Sequence, residues 1–250
     1  MKEIQRILSF VRRALDDYSM IEDGDCVAVG VSAGKDSLTL LAALAELRRF
    51  YPKKYDLCAI TVDMGFPGVD YSPVEEFCRR LDVKYEIVRT HIAEIIFDVR
   101  HESNPCSLCA RMRRGVLHET AKKMGASRVA LGHHFDDTVE TFMLNLFFEG
   151  RIGCFSPVTY LSESDLYLIR PLLYAYEKDI LYYTRHVNLP IIESSCPENH
   201  QTERENMRSL LRSLEAENDG LRHRIFGAMC RAQIDGYHAP KKSQGKGREE

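Results

Sequence analysis

The sequence predicts an α/β fold, a doubly wound parallel sheet with a helical C-terminal extension. Over the first 150 residues, short apolar runs typical of buried strands alternate with segments of helical periodicity, which is the pattern of successive βαβ units. Polar, glycine-containing segments follow two of these runs, at 32–37 and 132–137. Because ligands of open α/β sheets bind at the carboxyl ends of strands, we expect both segments to line one crevice.

The elements are expected in a simple order. An amphipathic helix opens the chain, with apolar residues at helical spacing at Ile4, Ile7, Leu8, Val11 and Leu15. Strands are predicted over 26–31, 57–62, 83–88 and 128–131, and helices over 37–50, 71–81, 107–124 and 137–148. In the last helix Asp137 is the expected N-cap, because Glu140 follows it by three residues.

The pattern changes after Gly150. Segments 158–161 and 166–169 fit a hairpin or a looser excursion, and helices are predicted over 177–188, 201–215 and 221–232. The predicted division is an N-terminal helix (1–20), an α/β domain (21–195), C-terminal helices (196–235) and a disordered tail (236–250).

Composition narrows the class of protein. No apolar run approaches the length of a membrane span and no signal-peptide core is seen, so a cytoplasmic protein without a membrane partner is expected. The net charge of −3 argues against a globally basic nucleic-acid binder, but not against a local basic surface. Eight cysteines in a reducing compartment are expected to pack, bind metal or react rather than form disulfides.

The segment Ser32-Ala33-Gly34-Lys35-Asp36-Ser37 fits a pyrophosphate cradle. Small residues let backbone N–H groups approach an anion, the following helix adds its positive end, and Lys35 adds charge. It is not a Walker A motif, because Asp36 stands where serine or threonine should follow the lysine. A plain capped strand-to-helix turn is the alternative. The methyl group of Ala33 is expected to require a negative φ.

The segment Gly132-His133-His134-Phe135-Asp136-Asp137 is the second polar segment. One or both carboxylates can hold Mg²⁺ together with phosphates, or they can simply complement the helix dipole. Either histidine alone is more often a hydrogen-bonded structural residue than a catalyst.

Cys106 and Cys109 stand at a predicted helix start that also carries Arg111, Arg113 and Arg114. The helix dipole and the arginines are expected to lower the pKa of the thiols, and thiolate is the form that binds metal. Cys196 is a candidate third ligand. A zinc site that adds His200, and an iron–sulfur cluster with one iron left open to sulfide, are both consistent with this spacing.

Basic side chains are concentrated in two segments. Between Arg100 and Arg128, cations outnumber acids beside the cysteine pair, which fits either a solvated helix face or contact with the phosphates of a folded RNA. Arg204, Arg208 and Arg212 alternate with acids and fit a salt-bridged surface.

Together these motifs resemble the PP-loop ATP pyrophosphatase superfamily and, more closely, the tRNA 2-thiocytidine synthetase family. Residues 32–37 resemble its Ser-Gly-Gly-x-Asp-Ser loop, 106–115 its Cys-x-x-Cys segment with trailing Arg-Arg-Gly, and 131–140 its Gly-His-His-x-Asp-Asp segment. Cys196 falls where a third cluster cysteine is expected. The resemblance covers roughly residues 20–215, and three ordered motifs are far more specific than one.

The resemblance implies ATP-dependent thiolation of a tRNA base, cytidine in this family. ATP and Mg²⁺ would adenylate the C2 oxygen and sulfur would then displace AMP, with Lys35, Asp36 and Asp137 in catalytic roles. The nucleotide would contact residues 32–37 together with Val62, Gly132 and Asp137, and Cys106, Cys109 and Cys196 would hold a [4Fe–4S] cluster. The implied partners are tRNA and a sulfur donor, a cysteine desulfurase or free sulfide, and a homodimer is left open.

Two alternatives stay open at the level of sequence. One keeps the ATP chemistry but uses ammonia or an amine as nucleophile, as related amide-forming synthetases do. The other is a non-catalytic nucleotide-binding module with a structural zinc at Cys106, Cys109, Cys196 and His200.

Overall fold

A six-stranded sheet forms the centre of the molecule. We describe a computed structural model over residues 3–99, 105–193, 196 and 203–239. The strand order is β3-β2-β1-β4-β6-β5, in which neighbours are parallel except for the antiparallel edge pair of β5 and β6. The chain runs outward from β1 to β3 and then returns to β4 on the other side of β1. The carboxyl ends of β1 and β4 therefore form the switch point at which doubly wound sheets bind ligands.

The described elements agree with the predicted order. The strands are β1 (Asp25–Gly30), β2 (Tyr55–Asp63), β3 (Lys84–Arg89), β4 (Arg128–Ala130), β5 (Val158–Leu161) and β6 (Leu166–Ile169). The helices are α1 (Gln5–Asp17), α2 (Lys35–Leu47), α3 (Ser72–Arg80), α4 (Pro105–Lys123), α5 (Phe135–Phe148), α6 (Glu177–His186), α7 (Glu203–Glu217) and α8 (Leu221–Arg231). Two short turns were not predicted, a π-helical one over Glu94–Val99 and a 3₁₀ one over Ile234–Gly236.

Both faces of the sheet are covered, which explains the continuous apolar character of its inner strands. Within β1, Val27 and Val29 pack in the larger core cluster with α1, α2 and α6, whereas Ala28 packs in a second cluster with Leu117 and Ala121 of α4. Side chains alternate between faces along a strand, so one run serves both layers. The hairpin of β5 and β6 extends the same sheet, because β6 pairs in parallel with β4.

The C-terminal helices pack on α5 through a third cluster of Phe135, Val139, Met207 and Leu211. Beyond α8, Tyr237 is fully buried and its hydroxyl donates to Thr138 Oγ1 at 3.4 Å. The prediction of a disordered tail from residue 236 is therefore wrong at its start, and residues 240–250 lie outside the described residues. No helix in the described part of the chain is long and apolar enough to cross a bilayer.

Candidate active site

The segment after β1 forms a compact turn held by its own serines. Ser37 Oγ accepts from the Ser32 N–H at 3.1 Å and donates to the Gly34 carbonyl at 3.0 Å. Ser32 Oγ lies 3.2 Å from Ser37 Oγ and 3.4 Å from the Gly34 nitrogen. The turn leads directly into α2, so the positive end of this helix lies at the carboxyl edge of the sheet. This is the geometry that the cradle hypothesis requires.

Ala33 has the opposite backbone conformation to the one expected. Its φ is 60°, in the left-handed region, and the residue is 1% exposed. A non-glycine residue in this region is strained by about 1–2 kcal/mol. The strained turn is held in place by the surrounding structure, because the Ala33 carbonyl accepts from the Ile192 N–H at 3.0 Å. The expectation of a negative φ at Ala33 is wrong.

Lys35 lies between two carboxylates. Its Nζ is 3.0 Å from Asp36 Oδ2 and 3.3 Å from Glu177 Oε1. Burial alone would lower the pKa of Lys35, but the charges and hydrogen bonds of the two acids outweigh burial and raise it. The ammonium group is therefore charged at neutral pH. Glu177, the first residue of α6, was not predicted from the sequence. It is far from Lys35 along the chain and contacts it only in the folded protein.

Asp36 keeps one oxygen without a partner. Its Oδ1 is buried and accepts no hydrogen bond, and His134 Nε2 lies 3.8 Å away. A buried acceptor without a donor costs about 1–3 kcal/mol, and in folded proteins it commonly marks an ion or ligand site. Mg²⁺ is held by one or two carboxylates together with phosphate oxygens. The free oxygen of Asp36 fits that donor set, because Asp36 belongs to the turn at residues 32–37, which we call the phosphate-type turn.

Gly132 brings the second segment against the first. A Cβ atom at this position would lie 3.1 Å from the carbonyl carbon of Asp36 and 3.1 Å from the nitrogen of Ser37. Both atoms belong to backbone that cannot easily move, so a side chain here would push the two loops apart. The two polar segments predicted from the sequence therefore do meet. Val62 lies on β2, next to β1, at the same carboxyl edge.

The start of α5 is capped differently from the prediction. The helix begins at Phe135, and His134 is the N-cap. The His134 N–H donates to Asp137 Oδ2 at 3.0 Å, and His134 Nδ1 accepts from the Asp137 N–H at 3.4 Å. Asp137 is thus the third helical residue rather than the N-cap. Burial would raise the pKa of Asp137, but the charge and backbone hydrogen bond of His134, together with Arg204, lower it.

The adjacent Asp136 faces other partners. Its Oδ2 accepts from the Glu177 N–H at 2.8 Å, and its Oδ1 accepts from Arg222 at 2.9 Å. These contacts tie α5 to α6 and α8. Of the two carboxylates that the sequence offered for Mg²⁺, Asp137 shares a neighbour with Asp36: both lie near His134 Nε2, at 3.5 and 3.8 Å. Asp136 instead lies 3.8 Å from His134 Nδ1, the other ring nitrogen.

Arginines of α7 turn toward this region rather than toward solvent. Arg208 Nε donates to Glu140 Oε1 at 3.1 Å, and Arg204 Nη1 lies 3.6 Å from Asp137 Oδ1. Glu140 is fully buried, so burial raises its pKa, although Arg208 opposes the shift. Arg204 and Arg208 are salt-bridged as predicted, but their main partners are acids of α5 rather than neighbours on a surface, whereas Arg212 is exposed. The sequence signal for this inward orientation was the four-residue spacing of the arginines, close to the apolar residues Met207 and Leu211, which are buried.

His133 serves packing. Its ring stacks on Phe155 with centroids 4.7 Å apart, and its buried Nδ1 has no hydrogen-bond partner. Burial, reinforced by the charge of Arg170, lowers the pKa of His133 to about 4, so the ring is neutral at physiological pH. This supports the structural alternative for His133.

The three predicted metal-binding cysteines come near one another. Cys106 is exposed on the first turn of α4, and Cys109 and Cys196 are half-buried. Cys106 and Cys109 lie one helical turn apart on α4, and Cys196 and Cys106 are close enough to Cys109 to contribute to the raised pKa of its thiol. Burial raises the pKa of Cys109 despite the nearby Arg113, so the expected lowering is wrong for this thiol. Among the described residues, no three His, Cys, Asp or Glu side chains are placed to hold a single metal ion.

The remaining cysteines are mostly buried. Cys58 and Cys78 are buried, as predicted, and Cys26 is half-buried. Cys154 and Cys230, which had no assignment, are also buried. His200, the fourth ligand of the zinc alternative, lies outside the described residues.

One backbone contact links the thiols to the phosphate-type turn. The Ile192 N–H that donates to Ala33 lies four residues before Cys196. Four residues span at most about 14 Å of extended chain. Cys196 is therefore tethered within that distance of the turn, while its charge reaches Cys109 on α4. This tether brings Cys196 toward the turn, although α2 and α4 pack on opposite faces of the sheet.

Comparison with known proteins identifies the family. Residues 4–214 match the PP-loop domain family. The tRNA-cytidine(32) 2-sulfurtransferase of Geobacter sulfurreducens is 39% identical over 232 residues, which cover 92% of this chain and 90% of that protein. The protein of the same name from Cupriavidus necator is 39% identical, covering 90% of this chain and 72% of its own length.

A solved structure supports the fold independently. The U34-tRNA thiolase NcsA from Methanococcus maripaludis, solved with its [4Fe-4S] cluster, has a TM-score of 0.75 and 24% identity, covering 92% of this chain and 79% of that one. The chain belongs to the PP-loop family and, within it, to the family of the tRNA-cytidine(32) 2-sulfurtransferases.

Proposed function

We propose that this protein is an ATP-dependent tRNA sulfurtransferase that exchanges the C2 oxygen of a cytidine for sulfur. The observation that carries the proposal is the hydrogen bond from Ile192 to Ala33, which tethers Cys196 to the phosphate-type turn. This contact supports a common location for adenylation and sulfur delivery. The relatives named tRNA-cytidine(32) 2-sulfurtransferase, which match this chain over most of its length, supply the substrate class.

The first step would activate the base. The C2 oxygen attacks the α-phosphorus of ATP, a new O–P bond forms, and pyrophosphate leaves. Negative charge grows on the departing pyrophosphate, where Lys35 and the backbone N–H groups at the start of α2 would stabilise it. Asp36, through its unpartnered Oδ1, and Asp137 are the residues that would hold Mg²⁺. Val62, on β2, and Gly132, in the loop after β4, would line the nucleotide.

The second step would deliver sulfur. Sulfur adds at C2, and AMP leaves with the former C2 oxygen. Cys106, Cys109 and Cys196 would hold a [4Fe–4S] cluster, and the iron that lacks a protein ligand can carry sulfide. The half-buried environment of Cys109 and Cys196 fits such a group, because exclusion of water protects a reactive sulfur. Arg113 supplies positive charge beside these thiolates.

The partners complete the proposal. The substrate is tRNA, and sulfide or a cysteine desulfurase supplies the sulfur. A tRNA substrate supports a cytoplasmic location. Light scattering of the pure protein tests for a homodimer, which would have twice the mass of the 28.7 kDa chain.

The experiment that tests the function measures the product directly. Anaerobically reconstituted protein is incubated with unmodified tRNA, ATP, Mg²⁺ and sulfide, and digested nucleosides are analysed by mass spectrometry. We expect 2-thiocytidine only when ATP is present. An amide-forming enzyme would instead consume ATP with ammonia and leave the tRNA unchanged, and a zinc module would do neither.

A further inference from the structure

One surface of α4 has a composition that the reaction does not explain. Arg111, Arg114, Gly115 and Lys122 are all exposed. They lie at helix positions i, i+3, i+4 and i+11, which form one stripe about 16 Å long on a helix that rises 1.5 Å per residue. The stripe begins two residues after Cys109. We refer to these four residues as the α4 stripe.

Within the described part of the chain, the arginines of this segment have no acidic partner. No described carboxylate pairs with Arg111, Arg113 or Arg114, although Lys123 on the same helix pairs with Glu119 at 2.7 Å. Like charges three residues apart on a helix repel each other. An unbalanced row of cations on an otherwise slightly acidic protein is the electrostatic pattern expected where a polyanion binds.

Gly115 is the second, independent observation. It lies in the middle of a 19-residue helix, where glycine is the poorest helix former after proline. Packing does not require it, because a Cβ atom built there meets no other atom within 4 Å. Its φ is not in the left-handed region either. An exposed glycine without a structural reason allows another molecule to approach the helix backbone closely.

We propose that the α4 stripe is a docking surface for the sugar-phosphate backbone of the tRNA. Arg111, Arg114 and Lys122 contact phosphates, and the missing side chain of Gly115 lets the RNA backbone lie against the helix. The same helix carries Cys106 and Cys109, so docking here brings the target base toward the thiols. The inference rests on the proposed function, because it names where that reaction's substrate is held.

The test is tRNA binding as a function of salt. The variant Arg111→Gln/Arg114→Gln is compared with the charge-matched control Arg49→Gln/Arg79→Gln, whose arginines lie at or just beyond the C-terminal ends of α2 and α3, away from the cradle. The probe is an unmodified tRNA transcript. We expect the stripe variant to bind about tenfold more weakly, and the slope of log K against log salt to fall by about 2. The control should match the parent protein.

Gly115→Leu separates docking from a structural role. Leucine is a good helix former with open space around it, so the thermal midpoint is expected to rise by about 2 °C. We expect tRNA affinity to fall at the same time. Because Lys122 lies 13 residues beyond Cys109, Lys122→Gln gives the same test without disturbing the thiols, and its salt slope should fall by about 1.

Two failures are distinguishable. If the parent protein binds and thiolates tRNA while the arginine pair, Gly115→Leu and Lys122→Gln all keep its affinity and salt slope, the docking surface is wrong and the function stands. If the parent protein neither binds nor thiolates tRNA, both proposals fall.

Discussion

The nucleotide half and the thiol half of the site are built in different ways. In the nucleotide half, the turn after β1 and the turn after β4 pack closely together. A Cβ atom built at Gly132 would lie only 3.1 Å from backbone atoms of Asp36 and Ser37. In the thiol half, Cys106 and Cys109 lie on one helix, whereas Cys196 lies on a segment far along the chain. The nucleotide half is therefore held together by the sheet, whereas the thiol half joins two segments that are distant in sequence.

This difference predicts that the two halves can be disabled separately. The largest effect is expected for Asp36→Ala, which removes the carboxylate with the unpartnered oxygen. We expect pyrophosphate release to fall by about 10³-fold, as when one charge-stabilising group is lost from an active site. The visible absorbance of the cluster should be unchanged. Asp36→Asn, which keeps the size of the side chain, should lose nearly as much, and normal turnover in either variant would reject the cradle.

The second effect is expected in the other half. Cys196→Ala should lose cluster absorbance and reduce 2-thiocytidine formation by at least about 100-fold, since a metal ligand contributes at least as much as its supporting residues. Pyrophosphate release with tRNA should persist. Cys26→Ala, at a half-buried cysteine outside the site, is the matched control. Unchanged cluster content in Cys196→Ala would remove Cys196 from the ligand set.

A smaller effect, on ATP affinity, is expected for Glu177 in the nucleotide half. Glu177→Gln removes one of two negative charges beside Lys35 and so reduces repulsion of the triphosphate. We expect ATP to bind about three- to tenfold more tightly at low salt, with the gain shrinking as salt screens the charge. Isothermal titration calorimetry in a salt series measures this. Weaker binding would mean that Glu177 instead helps to hold the metal.

The smallest effect concerns strain in the turn. Ala33→Gly should raise the free energy of unfolding by about 1 kcal/mol, because glycine adopts a φ of 60° without a steric cost. Thermal unfolding should shift upward by about 2–4 °C. Ala33→Val is the opposing variant, since a β-branched residue is disfavoured there. A lower thermal midpoint for Ala33→Gly would show that the buried methyl group stabilises the protein by more than the backbone strain destabilises it.

Local signals in the sequence predicted most of the fold. Apolar runs around Val27 and Val129 marked buried parallel strands, and the polar turns at 32–37 and 132–137 marked their carboxyl ends. Each of these features depends on a few consecutive residues, so a single sequence is enough to predict it. The meeting of the two turns followed from the rule that parallel strands end at one edge of the sheet.

The parts that were missed depend on distant contacts. Glu177 reaches Lys35, and Arg204 and Arg208 reach acids of α5, only after α6 and α7 have packed. The cap of α5 was misplaced because His134 is an unusual N-cap residue, and Asp137 three positions later resembles a usual one. The left-handed Ala33 was missed because propensity argued against it, while the Ile192 contact that holds it comes from far along the chain.

The central claim is that both halves serve one reaction. The most direct measurement is the ratio of AMP released to 2-thiocytidine formed in a single turnover with excess enzyme, unmodified tRNA and ATP. We predict a ratio of one for the parent protein, loss of both products in Asp36→Ala, and loss of 2-thiocytidine with activated tRNA retained in Cys196→Ala. Formation of 2-thiocytidine by Asp36→Ala, or without AMP, would contradict the account.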